Sequence, residues 1–436
     1  VEDVPNYFFS LSVCVILLTA MLTCVSGCSD RYHRSDNEII FWHAMGGKLG
    51  HELEDIVQRF NAQNPDITVR LEYMGSYASL RQKIIASLAA GNFPDMAQSF
   101  ETWTGKFVNA GKIATLTQFF NGPYGLTAAE IDDFFPFLRA ANTYNGELWA
   151  LPFNKSVPVI YYNSDMLKKA GLGPPADDWT WADFLDYARV LTVRNEQNSR
   201  PEQYGFANSL SEWLFQCLLH QNGGSEFDPT ERRVTYAQPP GITALKFMIG
   251  LTDTEKVAYY STGFNNQNDF AAQKVGFIFS SCATRIYLEP VLQFNWNCAP
   301  VPRGPKPAVT VSGTNIVIFN QSSSNRMIAA WRFARYFSSP EVTLGWSLKT
   351  GYLPVRRSAV QSAEMARAIS QNPRIQASLT QLAYCVPSPK HETWAKGRDL
   401  LITALEESMI GNVPPEKSLP AAAQKTQKLL DRFHEH

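Results

Sequence analysis

Apolar residues recur along this chain at two spacings, and the switch between them predicts its layout. Glu38-Ile39-Ile40-Phe41-Trp42 is a short strand, after which Leu49, Leu53, Ile56, Val57 and Phe60 fall on one face of a helix. Asn64-Pro65-Asp66 ends that helix, and Ile67 to Tyr73 alternates as a strand. A second helix runs through Leu80, Ile84 and Leu88, stops at Gly91-Asn92, and gives way to a strand from Asp95. Strand, helix, strand, helix, strand predicts a parallel sheet covered by helices.

The middle of the chain repeats the style with more aromatics. Pro158-Val159-Ile160-Tyr161-Tyr162 reads as a buried strand, followed by a helix to Ala170 closed by Gly171. Trp181 to Val190 is helical, whereas Val275–Phe279 and Ile316–Phe319 are short buried strands. Helices are expected over Arg326–Phe337, Gly397–Met409 and Pro420–Phe433. No internal repeat or low-complexity tract interrupts the pattern.

Length and composition narrow the picture. The 436 residues exceed the usual single domain, so two are expected. A net charge of −1 with balanced signs gives no reason to expect a nucleic-acid partner. Charged residues make up 18% and aromatics 12%, enough apolar material for cores and for a stacking site, which argues against disorder.

The N-terminal end carries an address. Phe8 to Gly27 is apolar or small throughout, long enough to span a bilayer, and Val25-Ser26-Gly27-Cys28 resembles the lipobox of bacterial lipoproteins. That resemblance implies a signal peptide over 1–27 cleaved before Cys28, acylation of Cys28, and a polar linker over 28–37. A retained membrane anchor is the competing reading, and the leader departs from the usual pattern in carrying Glu2 and Asp3 with no basic residue before Phe8. Four cysteines remain, Cys217, Cys282, Cys298 and Cys385, each among apolar neighbours and without metal-ligand spacing. Buried thiols are expected, with one disulfide possible in an oxidising compartment.

Catalytic motifs are missing. There is no GxSxG elbow and no phosphate loop, and His51-Glu52-Leu53-Glu54-Asp55 lacks the second histidine of a zinc-protease helix. No cofactor and no metal site are expected. Sequence leaves open whether two carboxylates face each other as in a glycosidase, so a secreted hydrolase stays as a distant alternative. Binding without chemistry is the better reading.

Several segments then carry a family resemblance. The lipobox, the Phe41-Trp42-His43 strand, Phe60-Asn61-Ala62-Gln63-Asn64-Pro65 and Tyr161-Tyr162-Asn163-Ser164-Asp165 resemble extracellular solute-binding proteins of ABC importers. Pro152-Phe153-Asn154-Lys155-Ser156-Val157-Pro158, Lys349-Thr350-Gly351-Tyr352-Leu353-Pro354 and Trp42-His43-Ala44-Met45 resemble the glycerol-3-phosphate-binding subfamily. The resemblance implies an α/β fold of two lobes joined by hinge crossovers, as in maltose-binding proteins, closing on ligand. Matched to this chain, lobe one is 38–152 with 310–340 and lobe two is 153–309 with 341–436, the first crossover falling near Pro152-Phe153-Asn154. It also implies a monomer on the outer face of the cytoplasmic membrane, held there by its lipid and handing a small molecule to permease subunits.

The subfamily's contacts fall on Tyr77, Glu101, Ser156, Trp213, Ser281, Gly313, Tyr352 and Arg398. Glu101 corresponds to an acid that accepts two glycerol hydroxyls, and Arg398 to an arginine whose fork fits phosphate. The subfamily has two tryptophans three residues apart; here Trp213 is kept and Leu210 stands in the first position. A smaller residue there makes room beside the phosphate, pointing to a glycerophosphodiester such as glycerophosphocholine, with Trp213 facing a quaternary ammonium. Equally, Leu210 is a repacked cleft wall. An oligosaccharide is the alternative ligand, suited by Trp103, Trp149, Trp213 and Tyr352.

Overall fold

The structure is a computed structural model that describes residues 36–195, 197, 200–320 and 323–435. The leader, Cys28 and most of the linker lie outside the described residues. Two sheets form the centres of two lobes. The first runs in the order Cys385–Pro387, Val309–Ile318, Met96–Ser99, Glu38–His43, Thr68–Tyr73, with Leu151–Ser156 also paired to Val309–Ile318. The second runs Trp296–Ala299, Pro158–Asn163, Val275–Ser281, Tyr204–Ser209, Ala258–Ser261. This is the two-lobed α/β architecture expected from the sequence.

Local chemistry accounts for the elements that frame the cleft. Lys48–Gln63 is a helix whose buried face includes Leu49, Leu53, Ile56, Val57 and Phe60, the set read from spacing. The next helix, Tyr77–Ala90, starts where the Ser76 side chain accepts from the Ser79 amide and stops where Gly91 turns left-handed at φ 69°. Glu38–His43 pairs in parallel with both Thr68–Tyr73 and Met96–Ser99, as the alternation predicted. The sheet is mixed, however, because Val309–Ile318 runs antiparallel to Met96–Ser99 and to Leu151–Ser156.

Crossovers between lobes fall where strands abut. The chain leaves the first sheet at Ser156 and enters the second at Pro158, just beyond the expected Pro152-Phe153-Asn154. A proline is tolerated there because the first residue of a strand needs no ladder donor. The stretch from 341 to 360, expected with lobe two, packs on lobe one. Trp346 stacks on Phe153 at 5.5 Å, Lys349 pairs with Glu52 at 2.7 Å, and the Arg357 guanidinium donates to the Asp132 carbonyl. Farther on, Gln381 Nε2 donates to the Pro158 carbonyl of lobe two at 2.8 Å, and Cys385–Pro387 then pairs with Val309, Thr310 and Val311 of the first sheet.

Each lobe has an aromatic centre. Phe41, Phe153, Phe333, Phe337 and Trp346 meet in the first, and Trp179, Phe184, Phe206 and Phe277 in the second, with ring centroids 4.5 to 6.4 Å apart. Among the described residues no helix is long and apolar enough to cross a membrane.

Candidate functional site

Between the lobes lies a cavity of about 440 Å³ lined from both sides. Lobe one supplies Tyr77, Phe100, Glu101 and Trp103, and lobe two supplies Glu212, Trp213, Trp394 and Arg398. Ser312 and Ser388, from the strands near the hinge, form part of the wall. Another cavity, of about 450 Å³, is confined to lobe one and includes Arg332, Arg335 and Arg356. Those arginines are committed to Asp66, Glu130 and backbone carbonyls. It lacks the two-sided wall of the cleft.

Helix starts position the polar side chains on lobe one. Tyr77 is the first residue of its helix, and its hydroxyl accepts from Asn154 Nδ2 at 2.8 Å and bonds the Tyr352 side chain. Burial pushes that hydroxyl's pKa up, so it remains a neutral hydrogen-bonding group. Phe100 stands edge-on to both Tyr77 and Trp103 at 5.0 Å, building a continuous aromatic wall. Glu101 opens the helix Glu101–Asn109, where the helix dipole favours a carboxylate.

Glu101 is anchored as well as exposed to the cavity. Its Oε1 receives Lys155 Nζ at 2.5 Å and Asn315 Nδ2 at 3.3 Å, while Lys155 also donates to the Gly313 carbonyl at 3.2 Å. Oε2 has no hydrogen-bond partner among the described residues. Burial pulls the Lys155 pKa down, and the Glu101 carboxylate beside it opposes that shift.

Lobe two answers with a cation and an indole. Ser211 caps the helix Glu212–Gln221, and Trp213 donates its ring N–H to the Thr310 carbonyl at 2.7 Å, which holds the indole against the wall. Arg398 projects from the helix Trp394–Met409, and its Nε reaches Glu212 Oε1 at 2.8 Å. That helix lies close on its neighbour Pro415–His434 because position 397 is glycine, a Cβ there lying 2.7 Å from Thr426 Cγ2.

Four of the residues expected from sequence, Tyr77, Glu101, Trp213 and Arg398, therefore meet in one cavity. The others are not among the residues that line it. Ser156 is buried opposite Ser312, and Gly313 approaches the Asn154–Lys155 backbone so closely, at φ 117°, that a Cβ would meet the Asn154 carbonyl at 2.0 Å. Tyr352 stands behind Tyr77, stacked on Trp346 at 6.0 Å. Ser281 caps the short turn Cys282–Thr284. Leu210 packs on the lobe-two core and is not among the lining residues. Trp149 donates to the Tyr144 carbonyl, away from the cavity. Cys217, Cys282, Cys298 and Cys385 are free thiols, with no disulfide among them.

Sequence reasoning passed over Lys155, Glu212 and Trp394. Lys155 lies within residues 152–158, between Asn154 and Ser156, where nothing in the local pattern marks it as buried or names its partner. Glu212 stood between Leu210 and Trp213, where only the three-dimensional fold reveals its arginine.

Comparison with known proteins agrees with this geometry. A family model described as bacterial extracellular solute-binding protein matches residues 55–375. The sn-glycerol-3-phosphate-binding periplasmic protein UgpB of Escherichia coli (strain K12) is 25% identical over 415 residues, 91% of this chain and 93% of that protein. The structure of UgpB from Mycobacterium tuberculosis in complex with glycerophosphocholine has a TM-score of 0.80 at 26% identity, covering 91% of this chain and 99% of that one. An ABC substrate-binding protein from Listeria monocytogenes in complex with cycloalternan shares the fold, with a TM-score of 0.77 at 22% identity over 90% of this chain and 99% of that one. The chain belongs to the bacterial extracellular solute-binding proteins.

Proposed function

We propose that the protein is the ligand-capturing component of an ABC importer and that its ligand is a glycerol phosphate compound, glycerol 3-phosphate or a glycerophosphodiester such as glycerophosphocholine. The observation that carries this reading is the pairing, across one cleft, of Arg398 on lobe two with the anchored Glu101 on lobe one. A phosphate accepts hydrogen bonds and matches the guanidinium fork; glycerol hydroxyls donate and match the free carboxylate oxygen. Tyr77, Ser156, Ser281, Gly313 and Tyr352 complete the proposed binding set, with Trp213 as a face for the substituent on phosphate. The relatives named for glycerol 3-phosphate and for glycerophosphocholine support the reading.

Capture without chemistry fits the carboxylates of the cleft, each of which has a cation beside it. Glu101 is paired with Lys155, Glu212 with Arg398, and Asp399 with Lys396 at 3.8 Å. In this reading a lipid on Cys28 tethers the body close to the permease.

An oligosaccharide is the second reading, favoured by Trp103, Trp213 and Trp394 around the cavity and by the cycloalternan-bound relative. A thermal-shift series with glycerol phosphates, glycerophosphodiesters and maltodextrins separates the two. A ligand at 100 times its dissociation constant adds about 2.7 kcal/mol of stability, a readily measured shift. Stabilisation by maltodextrins alone would overturn the glycerol phosphate assignment.

A further inference from the structure

Of the two guanidinium forks that line the cleft, Arg81 and Arg398, the one on lobe two already has a carboxylate on it. Both Nε and the terminal Nη2 of Arg398 donate to Glu212, through the same oxygen Oε1. Glu212 is itself well enclosed, its side chain 15% exposed against 54% for Arg398, and both line the cavity. The charged residues facing the space are Arg81 and Arg398 against Glu101, Glu212 and Asp399. Two cations and three anions leave the wall one charge negative, and Lys155 behind Glu101 with Lys396 beside Asp399 bring the set to one charge positive.

We propose that Glu212 is a specificity-determining residue that makes the cleft count the charge on phosphate, favouring a singly charged phosphate over a doubly charged one. This rests on the glycerol phosphate reading above. A phosphate docking on Arg398 shares the guanidinium with the Glu212 carboxylate or displaces it. Either way phosphate oxygens and Glu212 end within a few ångströms in a partly desolvated space, where like charges repel strongly. A phosphodiester carries one negative charge. A phosphomonoester carries up to two, because its second ionisation falls near pH 6. Doubling the phosphate charge doubles both the repulsion from Glu212 and the attraction of Arg398. Because Glu212 already offsets Arg398, the second charge gains little from the pair while costing more to desolvate.

The ligand itself supplies the test. No histidine is among the residues lining the cavity. His220 stands behind the lining Gln216 through Glu226, and a diester control cancels its titration, leaving the monoester phosphate as the difference between the two ligands between pH 5.5 and 7.5. Arg81, Arg398, Glu101, Glu212 and Asp399 face the space, and Lys155 and Lys396 stand behind two of the acids. Titration calorimetry would compare glycerol 3-phosphate with glycerophosphoglycerol, a diester with no cation, across that range. Affinity for the monoester is expected to fall roughly tenfold as pH rises through its second ionisation, and that of the diester by less than about twofold.

In Glu212→Gln the monoester's fall should disappear, and at pH 7.5 the ratio of monoester to diester affinity should rise roughly tenfold. A monoester that binds more tightly with rising pH, or a ratio unchanged in Glu212→Gln, overturns the proposal while leaving the glycerol phosphate assignment intact. If neither phosphate binds at any pH, that assignment fails and the proposal falls with it. The wild-type pH profile decides the question even if the variant folds poorly.

Discussion

Lys155 Nζ lies 2.5 Å from Glu101 Oε1, with the lysine side chain fully enclosed and the glutamate 7% exposed. A buried pair of this kind contributes little over an apolar pair of the same shape, but removing one member strands the other without solvent. Lys155→Met is therefore expected to lower stability by about 3–5 kcal/mol, read from urea unfolding. Adding Glu101→Gln should recover most of that loss, because no charge is then left unpaired. A Lys155→Met protein as stable as the parent would show that Glu101 is hydrated from the cleft.

Gly313 sits where two strands from different parts of the chain come closest. Its φ of 117° and the carbonyl of Asn154 at 2.0 Å from an added Cβ leave no room for alanine. Gly313→Ala should cost ~3 kcal/mol or more and loosen the hold of Lys155 on the Gly313 carbonyl. A thermal melt of the variant within a degree of the parent would mean that the strands separate cheaply at this point.

Acid should weaken the fold through buried neutral histidines. Burial drops His43 to about 4, against an opposing backbone interaction with Met45, and His391 to about 4, with His434 adding to the effect. Between pH 4 and 6.5 the unfolded chain binds protons that these folded rings refuse, so their contribution is present above 6.5 and lost as pH falls toward 4. For His43 the gap amounts to about 3 kcal/mol. His220 runs the other way: despite burial, Glu226 raises its pKa, so that contribution is present below 6.5 and lost as pH rises through the raised value. The check is the difference in pH slope between parent and His43→Gln, which should melt with a shallower loss between pH 6.5 and 4.

Trp213 is fixed by its bond to the Thr310 carbonyl and stands edge-on to Phe279 at 6.1 Å. Trp213→Leu should weaken ligand binding by about 1–3 kcal/mol, the range of a lost aromatic face. Fluorescence or calorimetric titration gives the number. Unchanged affinity would mean that ligand leans on Trp103 and Phe100 alone.

Spacing made the frame of lobe one legible. The helix Lys48–Gln63 buries the residues its periodicity singled out, and Gly91 stops the following helix in the left-handed turn that only glycine adopts freely. The lobe of residues 341–360 was not legible, because an amphipathic helix shows that it has a core face without showing which core it meets. The charge pairs of the cleft were hidden for a related reason. Lys155 is 54 residues from Glu101, and Arg398 is 186 from Glu212. Only the fold brings such partners together, so pattern reading found one member of each pair and missed the other.

Calorimetric titration of glycerophosphocholine into the protein and into Arg398→Ala bears most directly on the central claim. The cleft described here predicts a measurable heat with the parent and an affinity lower by roughly 100-fold in the variant, since charge-assisted hydrogen bonds to phosphate are lost. Equal affinity in both proteins, or binding of maltodextrins where every glycerol phosphate compound is silent, would contradict it.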